Sequence, residues 1–150
     1  MRVTIQRVSE ASVRINDVVV AEIERGMLVL LGIQNEDTFE DINWLTNKIS
    51  KLRIFPDEKA QMNKNIIDVN GDILVVSQFT LFASTKKGNR PSFLFSGKPD
   101  FSKIMYFKFV NDLEIKTGKK VKTGRFGANM KVSLINDGPV TINIDTKNKE

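Results

Sequence analysis

The chain has 150 residues, 41% of them hydrophobic and 27% charged, with a formal net charge of +5. These are the proportions of one ordinary globular domain, not of a disordered, fibrous or coiled-coil chain. Cysteine and histidine are both absent, which excludes disulfides, thiolate metal sites, cysteine nucleophiles, imidazole bases and every His-based triad.

Acid–base chemistry is left to carboxylates, lysine, tyrosine, main-chain dipoles and the substrate itself. Charge is unevenly spread: residues 1–85 carry 9 Lys and Arg against 12 Asp and Glu, residues 86–131 carry 12 against 3, and residues 132–150 carry 2 against 3. A basic segment on a slightly acidic chain fits a polyanionic partner, nucleic acid foremost, and equally a solvated lysine-rich face. Residues 1–9 lack the apolar core of a signal peptide, and the longest apolar run, 27–31, is too short to span a bilayer. A soluble, cytoplasmic protein is expected.

In chain order, the first thirty-four residues read as a meander. Val3 and Ile5 alternate with polar neighbours, Ser12 to Ile15 and Val18 to Ile23 flank the turn-prone Asn16-Asp17, and Met27 to Ile33 is a buried strand bounded by Gly26. Asp37 is a helix cap with Glu40 three residues on, and Ile42, Leu45, Ile49 and Leu52 follow at helical spacing. Pro56 to Asn65 reads as a loop, and Ile73 to Phe79 after Gly71 as a second buried strand. Ser84 to Pro91 forms a basic loop.

A second helix starts at Pro99-Asp100, offers Phe101, Ile104, Met105, Val110 and Leu113 as a buried face and stops at Gly118. Most of the ten phenylalanines fall at apolar-periodic positions, so no exposed aromatic ladder is expected. Met130 to Ile135 and Val140 to Ile144 read as two strands of a hairpin around Asn136 to Pro139. Strands in runs with two intervening helices predict an α+β single domain, residues 1–145, with a short polar tail, 146–150.

Three segments are chemically notable. Ser77-Gln78-Phe79-Thr80-Leu81 ends a buried strand with hydroxyls, an amide and main-chain donors where a ligand could meet them, although Ser77 and Thr80 could simply satisfy backbone groups. Asn136-Asp137-Gly138-Pro139-Val140-Thr141 is either an ordinary turn or a rigid main-chain recognition element. Thr123-Gly124-Arg125-Phe126-Gly127-Ala128 is glycine-punctuated and basic but matches no phosphate-binding loop.

The first two segments are similar to the two signature motifs of the D-aminoacyl-tRNA deacylase family, known also as D-tyrosyl-tRNA deacylases. Gln6-Arg7-Val8, Arg53-Ile54-Phe55, Arg90-Pro91-Ser92-Phe93 and Met130 to Leu134 look like further landmarks in family order. The resemblance spans nearly the whole chain.

It implies a β-barrel-like, mostly antiparallel sheet with two main flanking helices, in a homodimeric hydrolase that needs no metal or other cofactor. The implied reaction removes a D-amino acid, or mischarged glycine, from the terminal adenosine of tRNA. Ser77, Gln78, Phe79 and Thr80 correspond to the catalytic pocket motif. Gly138 and Pro139, as a Gly-cis-Pro element reaching into the partner's site, would bind substrate together with Phe126 and Met130. Lys86, Lys87 and Arg90 would face the tRNA. Without a base, Thr80 is a poor nucleophile, which favours a positioning role. Two other readings stay open: a non-catalytic RNA-binding module and a hydrolase of a different small ester.

Overall fold

Asn16 and Asp17 both take left-handed backbone, with φ of 49° and 64°, as a two-residue hairpin turn of type I′ demands. They join strand β1 (Arg2–Ile15) to β2 (Val18–Ile23), Ile15 opposite Val18. Strand β3 (Gly26–Gly32) returns antiparallel along the first half of β1, so β2 and β3 both pair with one unbroken β1 and not with each other, and the expected meander is replaced by this arrangement. The computed structural model describes residues 1–149; Glu150, the end of the expected tail, lies outside them.

Helix α1 (Phe39–Lys51) begins one residue later than the sequence predicts. Thr38 is the cap, its N–H donating to the Asp41 carboxylate at 2.8 Å. The Asp37 carboxylate is engaged instead by the buried Met1 α-ammonium and the Gln34 N–H. Ile42, Leu45 and Ile49 turn inward, as their spacing requires. Two short strands, β4 (Phe55–Pro56) and β5 (Met62–Lys64), pair within the expected loop.

Strand β6 (Asp72–Ser77) lies parallel to β3, Met27 opposite Ile73 and Leu31 opposite Ser77. The β3–α1–β6 connection is thus a crossover, and the parallel pair it makes is an exception within the mostly antiparallel sheet that the resemblance implies. Helix α2 (Pro99–Thr117) opens on proline and closes on left-handed Gly118 at φ 67°, as expected. Met105, Val110 and Leu113 are buried as predicted, joined by Tyr106 and Phe109, whereas Ile104 is exposed. Strand β7 (Lys122–Thr123) pairs parallel with β6.

The C-terminal segment is not a hairpin. Strand β8 (Lys131–Asp145) runs as one strand antiparallel to the whole of β1, from Arg14 opposite Lys131 to Arg2 opposite Asp145. The turn residues instead form a bulge: Gln6 faces Thr141 and Val8 faces Asn136, so four residues of β8 stand opposite Arg7 alone. A long partner strand on both sides of the bulge overrides the local turn signal.

Antiparallel pairing dominates because β1 pairs with β2, β3 and β8, while β6 and β7 make the sheet mixed. Strand β2 comes back beside β6 and β7, giving the sheet its barrel-like curl. Strands β3 and β6 are buried on both faces, as parallel strands are. Met27, Val29, Leu31, Ile73 and Val75 pack beneath the helices, while Leu28, Leu74 and Val76 fill the inside of the curl with Val8, Val13 and Ile23.

The two chain ends meet at the start of α1, where Lys147 pairs with Asp41 at 2.8 Å and Thr146 accepts a hydrogen bond from the Met1 ammonium at 2.7 Å. Burial would raise the Asp41 carboxyl, but hydrogen bonds from Lys147, Thr146 and the Thr38 N–H outweigh it and hold it well below the usual carboxylate range. Burial at Asp112 and Asp145 is likewise outweighed, by Lys116 and Thr46 in one case and by Lys147 and Arg2 in the other, and both are lowered. Carboxyls with depressed folded values contribute stability above their unfolded pKa and lose it as pH falls through the folded one. The unfolding temperature is therefore expected to be level above about pH 5 and to decline below about pH 4. Asp41→Asn is expected to cost about 2 kcal/mol near neutrality, with a deficit that shrinks in acid. Thermal melts of both proteins between about pH 7 and pH 3 check this; parallel curves would contradict it.

Candidate active site

Strand β6 delivers Ser77 to the C-terminal end of the parallel pair, the end at which parallel strands place their ligands. The Gln78 N–H donates to the Leu31 carbonyl at 2.7 Å, which extends the pairing one residue before the chain turns into a short 3-10 segment, Phe79–Phe82. Beyond this strand end opens a cavity of about 430 Å³ lined by Leu31, Ile33, Ser77, Gln78 and Phe79 on one side. Phe126, Gly127, Ala128 and Met130, from the loop before β8, form a second wall. That volume suits a nucleoside bearing one amino-acid side chain.

The lining combines apolar area with a few polar groups, the composition of a small-molecule site. Tyr106 braces it from behind: its hydroxyl donates to the Val75 carbonyl at 2.8 Å and its ring lies 5.6 Å from that of Phe126. Burial pushes the Tyr106 phenol far above its ordinary value, so it acts as a strap and not as a base.

Of the residues singled out in the sequence, Ser77, Gln78, Phe79, Phe126 and Met130 converge on this cavity. Thr80 is exposed beside it and accepts a hydrogen bond from the Gln78 side-chain amide. Lys86, Lys87 and Arg90 are exposed on the adjoining loop, which main-chain hydrogen bonds between Ser84 and Ser92 close at 2.8 and 2.9 Å. Gly138 and Pro139 do not line the cavity of their own chain. They occupy the exposed bulge of β8, joined by a cis peptide bond.

Arg7 fixes that bulge. Its guanidinium donates to the Asp137 carbonyl at 2.9 Å and to the Ile54 carbonyl at 2.7 Å, and the Asp137 carboxylate lies 3.4 Å away. Sequence reasoning missed the third wall of the cavity, formed by Ser96, Gly97, Pro99 and Ser102. Its trace in the sequence is the Ser96-Gly97 pair just ahead of Lys98 and the proline that opens α2; Gly97 lies so close to Ser102 that an added Cβ would stand 2.5 Å from its hydroxyl. Among the described residues, no group of three or more His, Cys, Asp or Glu is arranged to hold a metal ion. No helix among them is long and apolar enough to cross a membrane.

A protein from Flavobacterium johnsoniae named D-aminoacyl-tRNA deacylase is 61% identical to this chain over 150 residues, covering 100% of both chains. A Bacteroides fragilis protein of the same name is 60% identical over 150 residues, again with 100% coverage of each. Among solved structures, the c-Myc DNA Unwinding Element Binding Protein superposes with a TM-score of 0.91 at 38% identity, over 97% of this chain and 98% of that one. A structure described as a probable eukaryotic D-amino acid tRNA deacylase shares the fold, with a TM-score of 0.81 at 18% identity over 95% and 98% of the two chains. The family model for D-Tyr-tRNA(Tyr) deacylase matches residues 4–145, from β1 to the end of β8. With both signature segments inside that match and relatives of this identity along the whole length, the chain belongs to the D-Tyr-tRNA(Tyr) deacylase family.

Proposed function

We propose that this protein hydrolyses the ester joining a D-amino acid to the terminal adenosine of tRNA, in the cytoplasm, and that it does so as a homodimer. The observation that carries the reading is the convergence of Ser77, Gln78, Phe79, Phe126 and Met130 on one cavity of aminoacyl-nucleoside size. In the reaction, water adds to the ester carbonyl, the bond to the ribose oxygen breaks and the proton passes to that oxygen. A ribose hydroxyl of the substrate adjoins the reacting carbonyl and serves the proton transfer that no imidazole in this chain could supply.

The developing oxyanion meets main-chain N–H groups of Phe79 and Thr80 at the strand end. Thr80 positions and does not attack: its hydroxyl already accepts from the Gln78 amide, and an amide N–H draws no proton from it. Chirality is read sterically. Gly138 and Pro139, exposed on their own chain, reach into the partner's cavity and obstruct the side on which an L side chain would point. Glycine has no side chain to obstruct, so glycyl-tRNA is cleaved as well. Lys86, Lys87 and Arg90 contact phosphates of the tRNA without reading its sequence.

The test is loss of amino acid from D-tyrosyl-tRNA with a metal chelator present. Chelator-resistant hydrolysis far above the spontaneous rate is expected. A folded protein that binds tRNA yet leaves the ester intact would overturn the proposal.

A further inference from the structure

Half of the phenylalanines, five of ten, prove to be exposed, against the expectation that they lie mainly in the core. Two of the five, Phe107 and Phe39, belong to the helices; of the others Phe79 lines the cavity, Phe93 packs against Phe79 and Phe95 directly precedes the cavity-lining Ser96, and the three are 56%, 37% and 66% exposed. The Phe79 and Phe93 rings meet edge to face with centroids 5.0 Å apart. The segment carrying Phe93 and Phe95 is folded over Phe79: the Ser96 hydroxyl donates to the Phe79 carbonyl at 3.0 Å and the Ser96 N–H to the Phe93 carbonyl at 3.0 Å. Ser96 and Gly97, which follow, line the cavity itself.

Such exposure of aromatic rings needs a partner, and the local charge selects its class. From Ala83 to Pro99 the chain carries Lys86, Lys87, Arg90 and Lys98 and no carboxylate. A polyanion satisfies these cations. Aromatic faces beside a cationic track are the means by which proteins hold unpaired nucleotides. The cavity has room for one nucleoside, so the nucleotides preceding the terminal adenosine must lie outside it, at this mouth.

Resting on the deacylase reading, we infer that the loop carrying Phe93 and Phe95 is a stacking platform for the unpaired bases just before the terminal adenosine of tRNA, with Phe95 the principal ring. Phosphates of the same nucleotides run along Lys86, Lys87 and Arg90. The platform distinguishes a substrate with a single-stranded 3′ extension from a bare aminoacyl nucleoside, and it sets affinity without touching the reacting ester.

Two readouts test this with Phe95→Ala and Phe95→Trp. For D-tyrosyl-tRNA, Phe95→Ala is expected to raise KM about tenfold with kcat nearly unchanged, Phe95→Trp to restore it, and both to cleave the D-tyrosyl ester of adenosine as the wild type does. In the second, uncharged RNA hairpins ending in a single-stranded extension carry the fluorescent base 2-aminopurine immediately before the terminal adenosine. Binding is expected to quench it with wild type and Phe95→Trp, and not with Phe95→Ala. Equal losses on both esters, an unchanged KM for the tRNA ester, or quenching that survives Phe95→Ala would overturn the platform. So would a Phe95→Ala protein whose sedimentation shows dissociated subunits, since the loop would then be a subunit contact. Absence of turnover by the wild type would refute the deacylase reading alone; the quenching experiment would still decide on the platform.

Discussion

Gly138→Ala is expected to reduce hydrolysis of D-tyrosyl-tRNA by at least tenfold, about 1.4 kcal/mol of transition-state stabilisation, and to bring the D and L rates close together. Gly138 has a φ of +126°, a conformation L residues rarely adopt, and an added Cβ would stand 2.6 Å from Arg7 Nη2 and 3.0 Å from Val140 Cγ2. The guanidinium cannot simply swing aside, because it is mostly buried and already bonded to the carbonyls of Asp137 and Ile54. The bulge must therefore move relative to the strand that carries it. On the proposed mechanism this displaces the obstruction on the L side of the partner's cavity. Because the bulge lies at the surface, the variant should stay folded, with a stability loss of about 1–2 kcal/mol. Initial rates on D- and L-tyrosyl-tRNA measure the effect, and a folded variant with undiminished discrimination would contradict it.

Gly26→Ala should have the largest effect on stability. Gly26 opens β3 where β1 and β6 flank it, and an added Cβ would stand 1.9 Å from the Asp72 carbonyl oxygen and 2.8 Å from the Asp72 nitrogen. These are backbone atoms of the adjoining strand, so relief requires the β3–β6 seam to open at its start. A cost of about 3 kcal/mol is expected, equivalent to a fall of roughly 6–12 °C in Tm for a chain of this size. A Tm within about 2 °C of wild type, less than 1 kcal/mol at this size, would show that the seam is softer than its packing implies. Strand β6, across that seam, ends at Ser77, so activity should fall together with stability.

The elements with strong local signals were legible in the sequence. Helix α2 has a proline at its start and a left-handed glycine at its end, and β3 and β6 are short apolar runs that could be buried on both faces. What escaped was decided by distant partners. Asp37 looks like a helix cap, but the Met1 ammonium claims its carboxylate and Thr38 takes over the cap. Asn136 to Pro139 looks like a hairpin turn, yet β1 is long enough to pair on both sides of it and converts it into a bulge. The parallel β3–β6 pair depends on a crossover that no local pattern encodes.

At the site, the polar end of β6 was visible as a strand terminus with Ser77 and Gln78, and the placement of Phe126 and Met130 followed only from family resemblance. Ser96, Gly97 and Ser102 carry no chemical signature and enter through packing alone. The exposed rings at Phe79, Phe93 and Phe95 sit at positions where apolar spacing suggests a core, because periodicity reports a preference for burial and not whether a partner within the chain supplies it.

On the proposed mechanism this cavity selects its substrate by the direction of one side chain. The most direct measurement compares wild-type hydrolysis of D-tyrosyl-, glycyl- and L-tyrosyl-esters of tRNA under one set of conditions. Rapid loss of the D and glycyl esters with the L ester spared is the predicted result. Comparable hydrolysis of the D and L esters, or cleavage of L with D spared, would contradict it.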